Sequence, residues 1–443
     1  MTISGRQILE LNAYEPGASQ TKASPLLQRR LKNVGSASVL FYREPIEMVS
    51  ARGAWIAAAD GKRYLDFYNN VPAVGHCHPR VASAVAGQIG KLNINTRYLN
   101  AGVEAYLEAL KAKLPSPLSN VVMTCSGSEA NDLAMRIARK ATGGTGFIVT
   151  ENAYHGNTAW VTEISPAALK KRMLPAHVVC IPAPNPREAQ GGNVGKAFAS
   201  HLRRGVKELE SRGHTLAAFI CDSIFSSDGI FADPPGFLRD AVQEARKAGG
   251  LYIADEVQPG FARSGDSFWG FGRHGVTPDI VTMGKPIGNG FPMAATATRP
   301  DLLAQFCRDV GYFNTFGGNP VAAAAGMAVL DVIEEEGLLQ NSQKMGRYLK
   351  GRLDEIANAH SAVIGEVRGA GLFIGVDVLR DGEPDARTAS DIINRLKDNG
   401  VLVGAAGLYA HTLKLRPPLC LTREEADIFC DALDAAVAGL CRS

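Results

Sequence analysis

Residues 280–295 read IVTMGKPIGNGFPMAA, and Lys285 is the one charged side chain in that run. Burying an ammonium costs on the order of several kcal/mol unless it is paired or sheds its proton. A lysine that sheds its proton is an amine nucleophile, able to close a Schiff base to an aldehyde. Read alone, the position also suits a strand-end lysine snorkelling to solvent. Four other stretches bear on the choice. In VVMTCSGSEANDLAMRIARKATG (121–143) an apolar strand runs into Gly127 and Ser128, and apolar residues then recur at helical spacing. A helix N-terminus offers free N–H groups and positive potential, which suits a phosphate; an ordinary serine cap reads the same way. In ENAYHGNT (151–158) Tyr154 can lie against a planar heterocycle or pack in a core. In LYIADEVQPG (251–260) Asp255 closes an apolar strand, where a carboxylate needs a cationic partner such as a protonated pyridine nitrogen. The competing role, a Mg²⁺ ligand, lacks the phosphate-loop motif that would accompany it. In YFNTFGGNP (312–320) Thr315 and two glycines form either an anion contact or a plain turn. Phosphate cradle, stacking ring, pyridinium carboxylate and imine lysine, taken together, describe pyridoxal 5'-phosphate.

These residues require a scaffold, and the pattern from about Val71 supplies one. Apolar β-rich runs such as NVVMTCS, GFIVT, HVVCIPA, LAAFICDS, GLYIADE and DIVTMG alternate with amphipathic helices. That alternation predicts an α/β layered domain with a mainly parallel sheet, whose ligands sit outside the carboxyl ends of its strands. Residues 1–70 read as a polar arm and short strands joined to a small domain, 71–325 as the large cofactor-binding domain, and 326–443 as the remainder of a smaller α+β domain.

Composition excludes several classes. The chain has 443 residues, 46% of them hydrophobic, enough for a large core and more than one domain. The net charge of +3 is well mixed, with no basic tract interleaved with aromatics, so no nucleic-acid partner is expected. No apolar run reaches membrane-spanning length, and Met1 to Gln20 lacks an export-signal pattern. Eight cysteines without a Cys-x-x-Cys pair read as reduced thiols of a cytoplasmic protein. GHCHP brings His76, Cys77 and His78 together, but a metal site needs three or four ligands and no third is suggested, so no metal is expected.

SGSEA, AYHG, ADEVQ, GKPIGNG, TFGGNP and GHCHP together resemble the class III, ornithine/omega-type aminotransferases of fold type I, over about Tyr42 to Leu440. The resemblance implies a homodimer with shared active sites. It makes Lys285 the Schiff-base lysine and Asp255 the pyridine-nitrogen partner. Val257 would pack behind the ring and Gln258 reach its phenolic oxygen, with Tyr154 on the face. Gly127 and Ser128 would hold the phosphate, and Thr315 would reach the phosphate of the other subunit. Where such aminotransferases carry EPxQGExG, this chain reads CDSIFSSDG: Asp222 replaces the first glutamate, and Ser227 stands at the gating glutamate. That gate's arginine partner corresponds to Lys414, left as a fixed cation suited to a phosphate. Val71 stands at a position that is aromatic in ornithine-type enzymes. Arg43 falls where a second substrate contact is expected, although a surface ion pair suits it as well. The longer strings, LKLRPPLCLTREEAD among them, are most similar to ethanolamine-phosphate and 5-phosphohydroxylysine phospho-lyases, with alanine–glyoxylate aminotransferases as close cousins. The implied reaction is loss of phosphate from O-phosphoethanolamine to give acetaldehyde and ammonia. Transamination and a non-catalytic cofactor-binding role are the alternatives.

Overall fold

The computed structural model describes residues 10–15, 24–170, 173–187, 189 and 192–440; most of the amino-terminal arm lies outside them. After a helix at Pro25–Val34, strands β1 (Met48–Arg52), β2 (Trp55–Ala58) and β3 (Arg63–Asp66) form a meander. Its ADGK turn is closed by Lys62 N–H donating to Asp60 Oδ1 at 3.0 Å, with Gly61 at φ +85°.

The central sheet has seven strands: β4 (Asn120–Thr124), β5 (Gly146–Thr150), β6 (Val178–Ile181), β7 (Leu216–Cys221), β8 (Leu251–Asp255), β9 (Ile280–Met283) and β10 (Ala294–Thr298), ordered β4-β10-β9-β8-β7-β5-β6. Only β10 runs against the others. β5, β7, β9 and β10 are buried at every position, as strands covered on both faces must be, which is why β5, β7 and β9 read as continuous apolar runs. The helix Gly127–Thr142 buries Ala130, Leu133, Ala134, Ile137 and Ala138, the stripe its spacing predicts.

The helices Pro320–Glu335 and Leu338–Ala359 lead to β11 (Ile364–Ala370), β12 (Phe373–Arg380), β13 (Glu383–Pro384), β14 (Val401–Leu402), β15 (Gly404–Ala406) and β16 (Thr412–Leu415). A carboxyl-terminal sheet has the order β11-β12-β16-β15, whereas β14 pairs with β3, tying the amino-terminal meander to this segment. No helix among the described residues is long and apolar enough to cross a membrane.

Candidate active site

Five chemically distinctive stretches follow the carboxyl ends of β4, β5, β7, β8 and β9, which all point the same way. They meet at a cavity of ≈ 130 Å³ lined by Gly127, Ser128, Tyr154, His155, Gly156, Asp222, Asp255, Val257, Gln258 and Lys285. Each position follows from local structure. Ser126 caps the helix Gly127–Thr142 in a reciprocal capping box, its side chain accepting from Glu129 N–H at 3.2 Å. That bond leaves the Gly127 and Ser128 N–H groups at the open end of the helix, without a protein acceptor among the described residues. Gly156, at φ +141°, lets the following loop approach: a Cβ there would stand 2.5 Å from Ser128 Oγ. Gly127 faces Val257, whose methyl carbons a Cβ would meet at 3.1 and 3.2 Å. A small-residue cradle beside free N–H groups fits a phosphate.

Asp255 is 4% exposed and held from three sides. Oδ2 accepts from Asn131 Nδ2 at 3.0 Å and lies 2.7 Å from His155 Nδ1; Oδ1 accepts from Val257 N–H at 3.1 Å. Asn131 is fixed in turn by Thr282 Oγ1, which donates to its Oδ1 at 2.6 Å. An anchored carboxylate at the end of a buried strand fits a pyridinium nitrogen. Lys285 follows Gly284 with φ +39°, a value a non-glycine residue adopts only when its surroundings enforce it. Burial pushes its ammonium below the usual lysine range, against the opposing pull of Asp255. The free amine, which is the nucleophilic form, is thereby favoured.

Tyr154, Gln258 and Lys285 also line a second cavity of ≈ 300 Å³. Its remaining walls are Leu11, Asn12, Phe41, Tyr42, Tyr68, Val403, Gly404, Ala405, Lys414 and Arg416, so no acid lines it among the described residues. Lys414 is 4% exposed, 5.4 Å above the Phe373 ring, and its Nζ makes no hydrogen bond or salt bridge with a described residue. Burial, then Arg416, push the Lys414 ammonium well below the usual range, partly offset by Asp222. Asp222 itself accepts from Ser226 N–H at 2.9 Å and Ile224 N–H at 3.0 Å, and burial followed by the charge of Asp255 raises its carboxyl.

Three expected positions lie elsewhere. Arg43 does not line the cavity; it is turned to the surface, where it pairs with Asp391. The turn at Tyr42 (φ +69°) sends Phe41 and Tyr42 to the cavity wall and leaves Arg43 outside. Thr315 is exposed and lines neither cavity of its own chain. Val71 lines neither as well. Ser227 is buried at 2% exposure, with an unpartnered hydroxyl. Of the GHCHP histidines, His76 lies 2.7 Å from Asp66, while His78 caps the helix Pro79–Ile89 and lies 3.0 Å from Glu336.

His155, Asn131, Tyr42, Tyr68 and Arg416 went unnoticed in the sequence. Two signals were there: Asn131 follows Gly127 by one helical turn, and Arg416 follows Lys414 by one strand period.

A central sheet whose strand ends converge on a half-buried lysine and a clamped aspartate defines the fold type I class of pyridoxal-phosphate-dependent enzymes. Residues 41–437 match the model of the aminotransferase class-III family, and the chain belongs to that family. It is 39% identical over 434 residues to alanine–glyoxylate aminotransferase 2 homolog 2, mitochondrial, of Arabidopsis thaliana, spanning 96% of this chain and 90% of that one. It is 36% identical over 446 residues to ethanolamine-phosphate phospho-lyase homolog 1 of Caenorhabditis elegans, spanning 95% of each. A phospholyase from Arthrobacter solved in complex with phosphoethanolamine superposes with a TM-score of 0.89 at 41% identity, spanning 93% of this chain and 99% of that one. The phospho-lyase subgroup expected from the motifs is thus represented in both comparisons.

Proposed function

We propose that this protein is a pyridoxal 5'-phosphate-dependent phospho-lyase that eliminates phosphate from a small phosphorylated amine, O-phosphoethanolamine above all. The substrate and one water give acetaldehyde, ammonia and inorganic phosphate. The observation that carries this reading is the substrate cavity: Lys414 stands in it with no hydrogen bond or salt bridge to a described residue, and no acid lines it among the described residues. A cation with no carboxylate to release it suits a group that is always anionic.

Gly127, Ser128 and Gly156 would hold the cofactor phosphate, Asp255 its ring nitrogen, Val257 and Tyr154 its two faces, and Gln258 its phenolic oxygen. When bound, pyridoxal 5'-phosphate supplies an electron sink for negative charge on the carbon beside the substrate nitrogen. Lys285 Nζ takes the proton from that carbon as general base, a task its depressed basicity suits. Lys414 meets the charge that grows on the departing phosphate and holds its bond in line. A barrier difference of ~1.4 kcal/mol shifts the balance between elimination and transamination tenfold, and neutralising the leaving group favours elimination. A second copy of the chain would complete the site with Thr315. The expected cytoplasmic location has no such support, since two of the relatives carry "mitochondrial" in their names.

The test is inorganic phosphate release from a panel of phospho-amines, with ethanolamine as control and amino transfer to a 2-oxo acid measured alongside. Phosphate release from phosphoethanolamine without amino transfer supports the reading. Amino transfer with no phosphate released from any member of the panel overturns it.

A further inference from the structure

Arg416 is the third cation of the substrate cavity, after Lys285 and Lys414, and the side chains that accept its hydrogen bonds are neutral amides. It follows Lys414 by two residues, so extended geometry turns both side chains to one face. It is 7% exposed. Its Nη1 donates to Gln258 Oε1 at 2.8 Å and to Asn70 Oδ1 at 3.3 Å, and the Tyr68 side chain hydrogen-bonds to it. Its Cζ lies 5.0 Å from the centre of the Tyr68 ring, and its Nε is buried without a partner. No salt bridge joins it to a described carboxylate. A guanidinium keeps its proton throughout the ordinary pH range, so burial cannot neutralise it. A desolvated, permanent charge with no carboxylate in direct contact, only the more distant field of Asp66, at the wall of an open cavity, is a seat for an anion. The seat is also braced. Gln258 Nε2 donates to Ser226 Oγ at 2.8 Å, and Ser226 Oγ donates to Asp222 Oδ2 at 2.9 Å, so a chain of three hydrogen bonds runs from the guanidinium to the cofactor cavity.

We infer that Arg416 is a direct ligand of the substrate phosphate together with Lys414, and that Gln258, Ser226 and Asp222 hold its fork in place. This rests on the phospho-amine reading above and deepens it. Lys414 supplies a compact point charge, whereas Arg416 supplies paired donors that fix the orientation of a tetrahedral anion.

The experiment measures holoenzyme KM for phosphoethanolamine and the inhibition constant of inorganic phosphate in Arg416→Gln and Arg416→Lys. Loss of a charge-assisted bond predicts a rise of about tenfold to a hundredfold in both constants for Arg416→Gln. Arg416→Lys, which keeps the charge but loses the fork, predicts a rise of several-fold and guards against misfolding of the first variant. Cofactor absorbance should match wild type in both. Unchanged constants in the variants overturn the inference and leave Arg416 as a brace for Gln258. Should wild type release no phosphate, the phospho-lyase reading fails by itself. Inorganic phosphate inhibition of amino transfer then decides Arg416 separately, with a raised constant supporting it and an unchanged one overturning it.

Discussion

Lys414 has to be an ammonium to attract a phosphate, yet burial and Arg416 push its basicity well below that of an ordinary lysine. The protonated form binds, so affinity is lost as pH rises through that lowered value. On the acid side the substrate phosphate becomes dianionic only above its second ionisation, at pH about 6. The profile of kcat/KM against pH is therefore predicted to be bell-shaped, with an alkaline limb that begins below the usual lysine range. Lys414→Arg should move that limb upward, because a guanidinium stays charged; an unmoved limb would assign it to another group. Single residues were legible wherever a side chain carried its own chemical demand. Lys285 in an uncharged run and Asp255 at the end of an apolar strand each require a partner, and each lies in the cavity. His155 and Asn131 were not legible in that way, since their task is to hold Asp255 and the contact spans 100 or more residues of sequence.

At the scale of elements, the loop after β5 and the helix after β4 meet at Gly156 and Ser128. Alanine at position 156 would adopt φ +141°, which L-residues avoid, and would press its Cβ 2.9 Å from Ser128 Cα. Strain of about 1–3 kcal/mol at the cradle predicts a cofactor dissociation constant raised roughly tenfold to a hundredfold. Titration of the apoenzyme with pyridoxal 5'-phosphate reads this directly, and wild-type affinity in Gly156→Ala would remove the cradle from the account. The six strands that read clearly are largely apolar, and five of them run into the polar stretches that meet at the cavity. β10 did not, because AATAT offers small side chains with little periodicity and is buried by its neighbours rather than by its own bulk. Ala386–Asp398 was likewise passed over, although its Asp391 is what draws Arg43 to the surface.

For the whole molecule, the order β4-β10-β9-β8-β7-β5-β6 was out of reach of local pattern, because strand neighbours such as β4 and β10 are set by contacts far apart in sequence. The chemistry does not depend on that order: parallel strands deliver their carboxyl ends to one side whatever their order. Thr315 belongs to this scale too. It is exposed in one chain, next to Phe316 at 71% exposure, apolar surface that a second copy would cover. Sedimentation is predicted to give a dimer, and Thr315→Ala to weaken cofactor retention; a monomer with full cofactor would contradict this. What leaves the substrate once Lys285 has taken its proton separates a phospho-lyase from a transaminase. Holoenzyme mixed with excess phosphoethanolamine and no 2-oxo acid should release phosphate and acetaldehyde in equal amounts through many turnovers. A halt after about one equivalent per site, with no phosphate freed, would make the protein a transaminase instead.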